Sequence, residues 1–440
     1  MSNTLFCPAL FLAAPASGQG KTTITAALAR FHQRQGRVVR VFKTGPDYLD
    51  PQILAQASGE PVEPLDLWMA GEAYCRAKLY AAAQVADLIL IEGAMGMFDG
   101  EPSSADLAAT FGIPIAIVMD VKGMAQTAAA LATGLANFRD DYTVAGLIAN
   151  HCGSERHADL IRDALPQSLP LLATVPREAE LALPERHLGL VQAHEVSETL
   201  ERRFEAGADV LAKTALSRLP EAVCFTAATL PTVQRSLAGV RIAIARDAAF
   251  SFLYDSNLRL LEAMGAELRF FSPLEDKRLP EAEALWLPGG YPELHTAGLA
   301  ANGSMLASIG NFFQQGRPIL AECGGFLYTL TGLTDLEGQR FELLALLEGE
   351  GAMRGKRGCQ GMQTALLPEG ELRAHAHHRS RCEVNLKPIA HGRRQRHPAP
   401  GEAIYREKGL TATYLHLFFA SNPAAIAALF RGEMALQAVS

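Results

Sequence analysis

Ala14-Pro-Ala-Ser-Gly-Gln-Gly-Lys-Thr22 is the stretch that decides the fold of the first half of this 440-residue chain. It follows an apolar run at 10–14 and precedes a helical pattern at 23–35. A strand, a glycine-rich turn and a helix that opens with Lys-Thr are typical of a phosphate-binding P-loop, in which backbone N–H groups face the phosphate oxygens. The strict pattern begins with glycine where this chain has Pro15. We nevertheless predict a nucleotide site here.

Different residues of the loop are expected to bind different parts of MgATP. Gly18 and Gly20 let the backbone approach the phosphates, and Thr23 continues the first helical turn. Lys21 is expected to bridge the terminal phosphates, and the hydroxyl of Thr22 is expected to bind Mg²⁺. The alternative is a glycine-rich turn that only caps a helix, and the Gly-Lys-Thr context argues against it.

Short apolar runs alternate with helical patterns on either side of this loop, which predicts a parallel sheet with helices on both faces. The runs are rich in Val, Ile and Leu without polar alternation, as in strands buried on both faces. The candidate strands are 10–14, 38–42, 87–91, 113–119, 144–150 and 171–175. The pattern loosens after residue 200, so we predict a domain at 1–200 and a linker at 201–238.

The alternation restarts at residue 240, with candidate strands at 240–245, 268–271, 284–287 and 318–321 and a helix at 257–264. We therefore predict a second α/β domain at 239–440.

Composition restricts the class of protein. A net charge of −7 argues against a general nucleic-acid binder. Seven cysteines without a CxxC pair indicate reduced thiols, and hence a cytoplasmic protein. The apolar run at 6–16 superficially resembles a signal peptide, but no basic region precedes it and we expect a buried strand. No apolar run reaches the roughly 20 residues of a membrane span, so we expect no membrane partner.

Acidic side chains follow two further predicted strands of the first domain, in Lys43-Thr-Gly-Pro-Asp-Tyr-Leu-Asp-Pro51 and in Glu92-Gly-Ala-Met-Gly-Met-Phe-Asp-Gly100. Because the carboxyl ends of parallel strands meet at one edge, Asp47 and Glu92 are expected to join Thr22 in an oxygen-donor set for Mg²⁺. Asp99 is a third acidic candidate. Each of these residues taken singly has a turn or a helix cap as its alternative reading.

The second domain carries a candidate nucleophile in Ala321-Glu-Cys-Gly-Gly-Phe-Leu-Tyr328. A cysteine on a tight strand-to-helix turn is expected to expose its sulfur, and the helix N-terminus is expected to lower the pKa of the Cys323 thiol. The backbone N–H of Gly324 is one candidate donor to an oxyanion. Gly289 or Gly290, in Leu287-Pro-Gly-Gly-Tyr-Pro-Glu293, supplies the second. A buried structural cysteine is the alternative.

His416 is the candidate base, because it lies in the apolar segment Thr413-Tyr-Leu-His-Leu-Phe-Phe419 near the C-terminus. A neutral imidazole within hydrogen-bonding reach of a thiol can take up its proton.

Taken together, these motifs closely resemble the cobyrinic (or hydrogenobyrinic) acid a,c-diamide synthases of corrinoid biosynthesis. The phosphate loop and the two acidic segments resemble their dethiobiotin-synthetase-like domain. The cysteine and histidine segments resemble their flavodoxin-like class I glutamine amidotransferase domain. The resemblance covers nearly the whole chain, in the same domain order.

The resemblance implies a role for each motif residue. It implies Mg²⁺ at Thr22, Asp47 and Glu92, and contact of Asn150 with the base of the nucleotide. Substrate handling is implied for Asp47, Tyr48, Leu49 and Asp99.

Two departures from the family pattern affect details. Phe418 stands two residues after His416, where relatives have a carboxylate or a second histidine, so Cys323 and His416 are expected to act as a dyad and the group that orients His416 stays open. The segment Ala374-His-Ala-His-His-Arg-Ser380 keeps only part of its family pattern. Its three histidines also suggest a metal site, but no cysteine or carboxylate cluster accompanies them in the sequence, so we do not expect one.

The reaction that the resemblance implies consumes L-glutamine, ATP and a corrin polycarboxylate. Cys323 attacks the glutamine amide and releases ammonia. A substrate carboxylate attacks the γ-phosphate to give an acyl phosphate, from which ammonia displaces phosphate. This happens on the a and the c acetate side chains. A homodimer is one assembly open to the chain.

Two alternatives stay open at this stage. One is amidation of another tetrapyrrole, as in nickel-sirohydrochlorin a,c-diamide synthase, or of later corrin carboxylates. The other is a switch ATPase of the partitioning type, which usually has a lysine where this chain has Ala16.

Overall fold

The computed structural model describes residues 4–178, 180–183, 185–186, 189–190, 196–355 and 358–433. The chain forms two compact units, residues 1–230 and 231–440, each with its own sheet and core. Within the described residues, no helix combines the length and the apolar character needed to cross a bilayer.

The first unit alternates strands and helices along the chain. Its strands are β1 (Thr4–Ala13), β2 (Val39–Thr44), β3 (Glu63–Leu65), β4 (Leu88–Glu92), β5 (Ile115–Asp120), β6 (Val144–Cys152), β7 (Leu171–Pro176), β8 (Glu185–Arg186), β9 (Gly189–Leu190) and β10 (Ala222–Thr226). Its helices are α1 (Lys21–Arg34), α2 (Asp50–Ser58), α3 (Glu72–Ala83), α4 (Ser104–Phe111), α5 (Gln126–Ala136), α6 (Glu155–Ala164) and α7 (Ser197–Leu211).

The main sheet of this unit is parallel, in the order β3-β2-β4-β1-β5-β6-β7, and β10 pairs antiparallel with the first half of β1. Successive side chains enter opposite cores, so that Phe11 packs with α3 to α6 and Leu12 with α1, α2 and α7. Burial on both faces explains why these strands are continuous apolar runs. The predicted fold class is confirmed.

Most of the segment predicted as a linker, 201–238, belongs to the first unit, and its elements extend to residue 226. Helix α7 buries Leu200, Phe204 and Leu211 at helical spacing, and Arg30 of α1 forms ion pairs with Glu201 and Glu205 of α7, at 2.5 and 3.0 Å. Strand β10 follows. The charged side chains that suggested a linker form the outer face of an amphipathic helix.

The second unit has strands β11 (Arg241–Ala245), β12 (Glu267–Phe271), β13 (Ala284–Leu287), β14 (Ile319–Glu322), β15 (Leu330–Thr334), β16 (Arg340–Glu342), β17 (Leu347–Met353), β18 (Cys359–Leu367), β19 (Gly370–His378), β20 (Ser380–Val384), β21 (Ala390–Arg394), β22 (Pro400–Glu407), β23 (Leu410–Thr413) and β24 (Leu415–Leu417). Its helices are α8 (Asp255–Ala263), α9 (Thr296–Ala301), α10 (Gly303–Gln314), α11 (Gly324–Thr329) and α12 (Pro423–Arg431).

The parallel strands of this unit run β12-β11-β13-β14-β23, which is the flavodoxin-like order. The sheet continues antiparallel through β22-β21-β18-β19-β24, and a smaller sheet contains β16-β15-β17-β20. Helices α9 to α11 cover one face of the main sheet, and α8 and α12 cover the other. The turn after β14 and the short strand β24 are the parts that carry the candidate nucleophile and base.

Candidate active sites

The phosphate loop joins β1 to α1, at the carboxyl edge of the first sheet. Gly18 and Gly20 have φ of 75° and 90°, where residues with a Cβ are strained. A Cβ on Gly20 would lie 2.3 Å from Nδ2 of Asn150, which donates a hydrogen bond to the carbonyl oxygen of Gln19 at 3.0 Å. Asn150 therefore holds the loop from the end of β6. Its contact with a nucleotide base stays a prediction.

Lys21 links the phosphate loop to the segment that follows β4. Its Nζ donates to the carbonyl oxygens of Met95 at 2.7 Å and of Ala16 at 3.3 Å. Burial and the nearby Lys43 lower the pKa of Lys21 to about 8. Both carbonyl acceptors belong to the two segments that the sequence assigns to phosphate and substrate binding.

A buried network of charges lies beside the first turn of α1. The hydroxyl of Thr22 donates to Oε1 of Glu92 at 2.9 Å. Nζ of Lys43 lies 3.0 Å from the same oxygen and 3.1 Å from Oδ2 of Asp50. Sequence reasoning missed Lys43 and Asp50 as site residues, although both lie in the quoted segment, Lys43 near the end of β2 and Asp50 at the start of α2. The charged residues at 43, 47 and 50 within one short segment were the signal.

Asp47 completes this network at the start of α2. Its Oδ1 accepts hydrogen bonds from the backbone N–H groups of Leu49 at 2.9 Å and Asp50 at 3.1 Å. Burial and the neighbouring Asp50 raise the pKa of Asp47 to about 7. The carboxylates of Asp47, Asp50 and Glu92 thus lie around Lys43, with Lys21 as a second ammonium group nearby, and their oxygens are of the type that binds hard cations.

The surroundings of Glu92 show whether the donor set fits Mg²⁺. Its Oε2 is buried and accepts no hydrogen bond from any residue that the structure describes. A buried carboxylate oxygen without a donor is costly unless a cation binds it. The oxygens of Thr22, Asp47 and Glu92 are of the type that Mg²⁺ prefers, so the residues fit the ion.

The other predicted substrate residues lie on the same two segments. Tyr48 and Leu49 are half-buried just before α2, and Thr23 lies in the first turn of α1. Asp99 is exposed, and its Oδ2 accepts a hydrogen bond from the N–H of Gly96 at 3.0 Å. Their contact with substrate stays a prediction.

Cys323 occupies the turn between β14 and α11, with φ of 46° and ψ of −103°. Positive φ is unusual for cysteine and is typical of a strained nucleophile turn. The N–H of Cys323 donates to the carbonyl of Thr413 at 2.8 Å, which ties the turn to β23.

The expectation of an exposed sulfur with a lowered pKa was wrong. Cys323 is only 5% exposed, and burial together with the carboxylate of Glu293 raises the pKa of its thiol. Helix α11 has only six residues, and the nearby backbone N–H of Gly324 offsets little of the desolvation. The resting thiol is therefore protonated.

His416 lies on β24 directly opposite His375 of β19, and the two rings stack with centroids 4.8 Å apart. Burial, with smaller contributions from His377 and His378, lowers the pKa of His416 to about 3. The imidazole is thus neutral at pH 7, which is the state that a general base requires.

The Gly289-Gly290 loop contacts both the candidate base and the turn that carries the candidate nucleophile. A Cβ on Gly289 would lie 2.3 Å from Cε1 of His416, and a Cβ on Gly324 would lie 3.0 Å from the backbone nitrogen of Gly290. The thiol of Cys323 also contacts the carbonyl oxygen of His377, at 3.8 Å. The candidate oxyanion donors Gly290 and Gly324 are therefore adjacent, beside the turn that carries Cys323.

Gly289→Ala tests this arrangement. The new methyl group would displace the buried imidazole of His416, and displacement of a catalytic group by about 1 Å can lower a rate about a hundredfold. We expect glutamine hydrolysis to fall by about that factor. Gly303→Ala is the matched control, because no atom lies within 4 Å of its added Cβ. Equal glutaminase rates in the two variants would contradict the placement of His416 in the site.

Glu322 is a site residue that sequence reasoning missed, although it precedes Cys323 in the quoted motif. Its Oε1 accepts a hydrogen bond from the N–H of Leu417, and its Oε2 accepts one from Nε1 of Trp286, both at 2.8 Å. The carboxylate thus holds β24 beside the nucleophile turn. Phe418, which replaces the usual polar residue after His416, packs in the core with its ring 6.1 Å from that of Tyr254.

Glu322→Gln is expected to change how stability depends on pH. Burial outweighs the two accepted hydrogen bonds and raises the pKa of Glu322 from 4.5 to about 8. Between these values the folded protein keeps a proton that the unfolded chain releases. The free energy of unfolding therefore falls as pH rises from about 5 to about 9, by a few kcal/mol from this group. Glutamine does not titrate, and its amide nitrogen opposes one of the two donors at every pH.

Urea unfolding of both proteins across this pH range measures the effect. The wild-type advantage over Glu322→Gln should shrink as pH rises. An advantage that stays constant would show that Glu322 does not titrate in this window.

The surroundings of His378, one of the three histidines of β19, differ from what the sequence predicted. The structure places Cys359 and Glu402 beside His378, with their ligand atoms all within 4.8 Å of one another. The expectation that no cysteine or carboxylate accompanies these histidines was wrong, because both partners come from other strands. All seven cysteines are free thiols, as predicted.

Two family models match the chain. Residues 10–191 match a CobQ/CobB/MinD/ParA nucleotide binding domain, and residues 241–424 match a CobB/CobQ-like glutamine amidotransferase domain. The first match contains the phosphate loop and its acidic network. The second contains Cys323 and His416.

Three relatives are similar over almost their whole length. Hydrogenobyrinate a,c-diamide synthase of Stutzerimonas stutzeri is 55% identical over 97% of this chain and 99% of its own. The protein of the same name from Pseudomonas aeruginosa is 53% identical over 96% and 97%. Cobyrinate a,c-diamide synthase of Herminiimonas arsenicoxydans is 47% identical over 95% of each chain.

Proposed function

The chain belongs to the family of hydrogenobyrinate and cobyrinate a,c-diamide synthases, glutamine-dependent amidating ligases of cobalamin biosynthesis, and we propose that it amidates the a and c acetate carboxylates of hydrogenobyrinate. The single observation that carries the proposal is the turn at Cys323, whose strained backbone is enclosed by Gly290, Gly324 and the loop that contacts His416. This is the geometry of a glutaminase nucleophile.

The second unit releases ammonia in this proposal. Both Cys323 and His416 are neutral at rest, so the thiol transfers its proton to the imidazole as the sulfur attacks the glutamine amide. The oxyanion that forms accepts hydrogen bonds from the N–H groups of Gly290 and Gly324. His416 then returns the proton to the leaving nitrogen, and water hydrolyses the glutamyl thioester.

The first unit binds a nucleotide, and we propose that it activates the substrate carboxylate. Gly18, Gly20 and Lys21 would hold the phosphates of ATP, and Thr22, Asp47 and Glu92 would hold Mg²⁺. When bound, the ion would neutralise charge on the β- and γ-phosphates. The ammonium group of Lys21 stabilises the charge on the transferred phosphoryl group, and Lys43 forms ion pairs with Glu92 and Asp50 in the buried network.

The choice of macrocycle rests on the names of the relatives. Those at 55% and 53% identity are named for hydrogenobyrinate, and the one at 47% for cobyrinate. We therefore propose the cobalt-free corrin as substrate, in a cytoplasmic enzyme whose cysteines stay reduced. A homodimer is the assembly to test by light scattering.

Mass spectrometry of the macrocycle tests the function. The protein is incubated with glutamine, MgATP and either hydrogenobyrinate, cobyrinate or a nickel tetrapyrrole. We expect two amides on hydrogenobyrinate, formed faster than on the others, and none without ATP. Formation of two amides on the nickel tetrapyrrole and on neither corrin would identify the nickel tetrapyrrole as the substrate instead. Release of ADP without any amide would support the switch-ATPase alternative.

A further inference from the structure

A second cluster of reactive side chains lies in the amidotransferase unit, and the glutaminase chemistry does not use it. Cys359 begins β18 and lies directly opposite His378 at the end of β19. Glu402 comes from β22, where its N–H donates to Oε1 of Gln363 of β18 at 2.8 Å. Residues opposite each other in an antiparallel pair face the same side of the sheet, so the register brings the thiol and the imidazole together.

The orientation of His378 is fixed by two contacts. Its Nδ1 lies 3.1 Å from the carbonyl oxygen of Ser380, and its ring stacks on that of Tyr414 with centroids 3.7 Å apart. Because a carbonyl only accepts hydrogen bonds, Nδ1 carries the hydrogen. In the neutral ring Nε2 therefore presents a lone pair, the arrangement found in histidines that bind metals.

That lone pair faces a carboxylate. Nε2 of His378 lies 3.4 Å from Oε2 of Glu402, and the side chain of His378 is only 9% exposed. Apart from this contact with Glu402, Nε2 has no hydrogen-bond partner among the residues that the structure describes. A buried lone pair opposite a carboxylate is repulsive, and a proton on Nε2 or a metal ion between the two groups removes that repulsion.

The same geometry argues against a second nucleophile. In a Cys-His-Glu relay the carboxylate binds one ring nitrogen and the thiol faces the other. Here Ser380 occupies Nδ1 and Glu402 faces Nε2, so the ring has no nitrogen left for a separate contact with Cys359.

We propose that Cys359, His378 and Glu402 bind a zinc ion. Zn–N and Zn–O bonds of about 2.0–2.2 Å at a tetrahedral angle separate two ligand atoms by about 3.4 Å, the distance observed between His378 and Glu402. A set of one thiolate, one imidazole and one carboxylate favours Zn²⁺ over Mg²⁺ and Ca²⁺, which prefer oxygen alone. Three protein ligands leave a fourth position for water.

The zinc ion holds three strands around the glutaminase segment. Tyr414, which stacks on His378, follows the residue whose carbonyl accepts the N–H of Cys323, and it lies two residues before His416. The ion therefore braces β18, β19 and β22 beside the nucleophile and stabilises the folded unit without entering the reaction.

Zinc binding by the chelator-stripped full-length protein tests the proposal, in competition with a chromophoric chelator and with excess Mg²⁺ to fill oxygen sites. We expect one tight Zn²⁺ per chain. Cys359→Ser, His378→Gln and Glu402→Gln should each weaken binding at least about tenfold. Cys224→Ser is the matched control, because Cys224 is exposed on β10. Unchanged affinity in Cys359→Ser would overturn the site.

Cobalt substitution provides a spectroscopic readout of the site in the wild-type protein. Co²⁺ bound to the wild type should give a thiolate-to-cobalt charge-transfer band in the near ultraviolet. The band should persist in Cys323→Ser, which excludes the glutaminase thiol as its source. Its absence from the wild type, or its loss in Cys323→Ser, would overturn the proposal.

Discussion

Cys323→Ala is expected to abolish amide synthesis from glutamine while synthesis from ammonium salts continues near the wild-type rate. The substitution removes the only atom that can form the glutamyl thioester, and loss of a catalytic nucleophile lowers the rate by at least about a thousandfold. Free ammonia bypasses this step, because the acyl phosphate forms at residues of the first unit. In Cys323→Ala, amide synthesis from glutamine should therefore be at least about a thousandfold slower than synthesis from ammonium.

Macrocycle amidation followed by mass spectrometry measures both rates. Cys382→Ala is the matched control, since Cys382 is a half-buried thiol of the same unit. Loss of both reactions in Cys323→Ala would point to a folding defect if circular dichroism changed. With unchanged dichroism it would contradict the division of labour between the two units.

Lys21→Ala is expected to lower synthesis from both nitrogen sources by about a thousandfold. Lys21 is buried, and its ammonium group lies between the carbonyls of Ala16 and Met95, where the terminal phosphates of ATP are expected to bind. Removal of a cation that stabilises a transferred phosphoryl group typically costs two to three orders of magnitude or more. Unlike Cys323→Ala, this variant should not be rescued by ammonium.

ADP release and amide formation with saturating ammonium measure this effect. Lys122→Ala is the control, because Lys122 is an exposed lysine that follows β5. Rescue of Lys21→Ala by ammonium would place Lys21 outside the phosphoryl-transfer step and would contradict the assignment of this loop to phosphate binding.

The parallel strands were predictable because burial on both faces makes each of them a continuous apolar run. The strands predicted at 87–91 and 144–150 correspond to Leu88–Glu92 and Val144–Cys152. Strands exposed on one face give weaker signals. Leu347–Met353 alternates buried and exposed residues, but two of its three buried positions are glycines, so no apolar pattern marks it.

Other parts of the sites depend on contacts between distant residues. The pairing of Cys359 with His378 follows from strand register, and Glu402 joins them from a third strand. Burial of Cys323 likewise depends on how Pro292 and Gly290 pack over the turn, which no local motif records. The motifs identified the chemical groups, whereas tertiary packing determined their protonation.

The enclosed turn at Cys323 has a consequence for the life of the enzyme in the cell. Peroxides and electrophiles attack thiolates that solvent can reach, and the resting sulfur here is neither ionised nor open. Damage should therefore fall first on Cys224, which is exposed and has no part in the reaction. A nucleophile that ionises only when glutamine is bound is thereby protected from oxidation between turnovers, and the enzyme keeps its glutaminase activity.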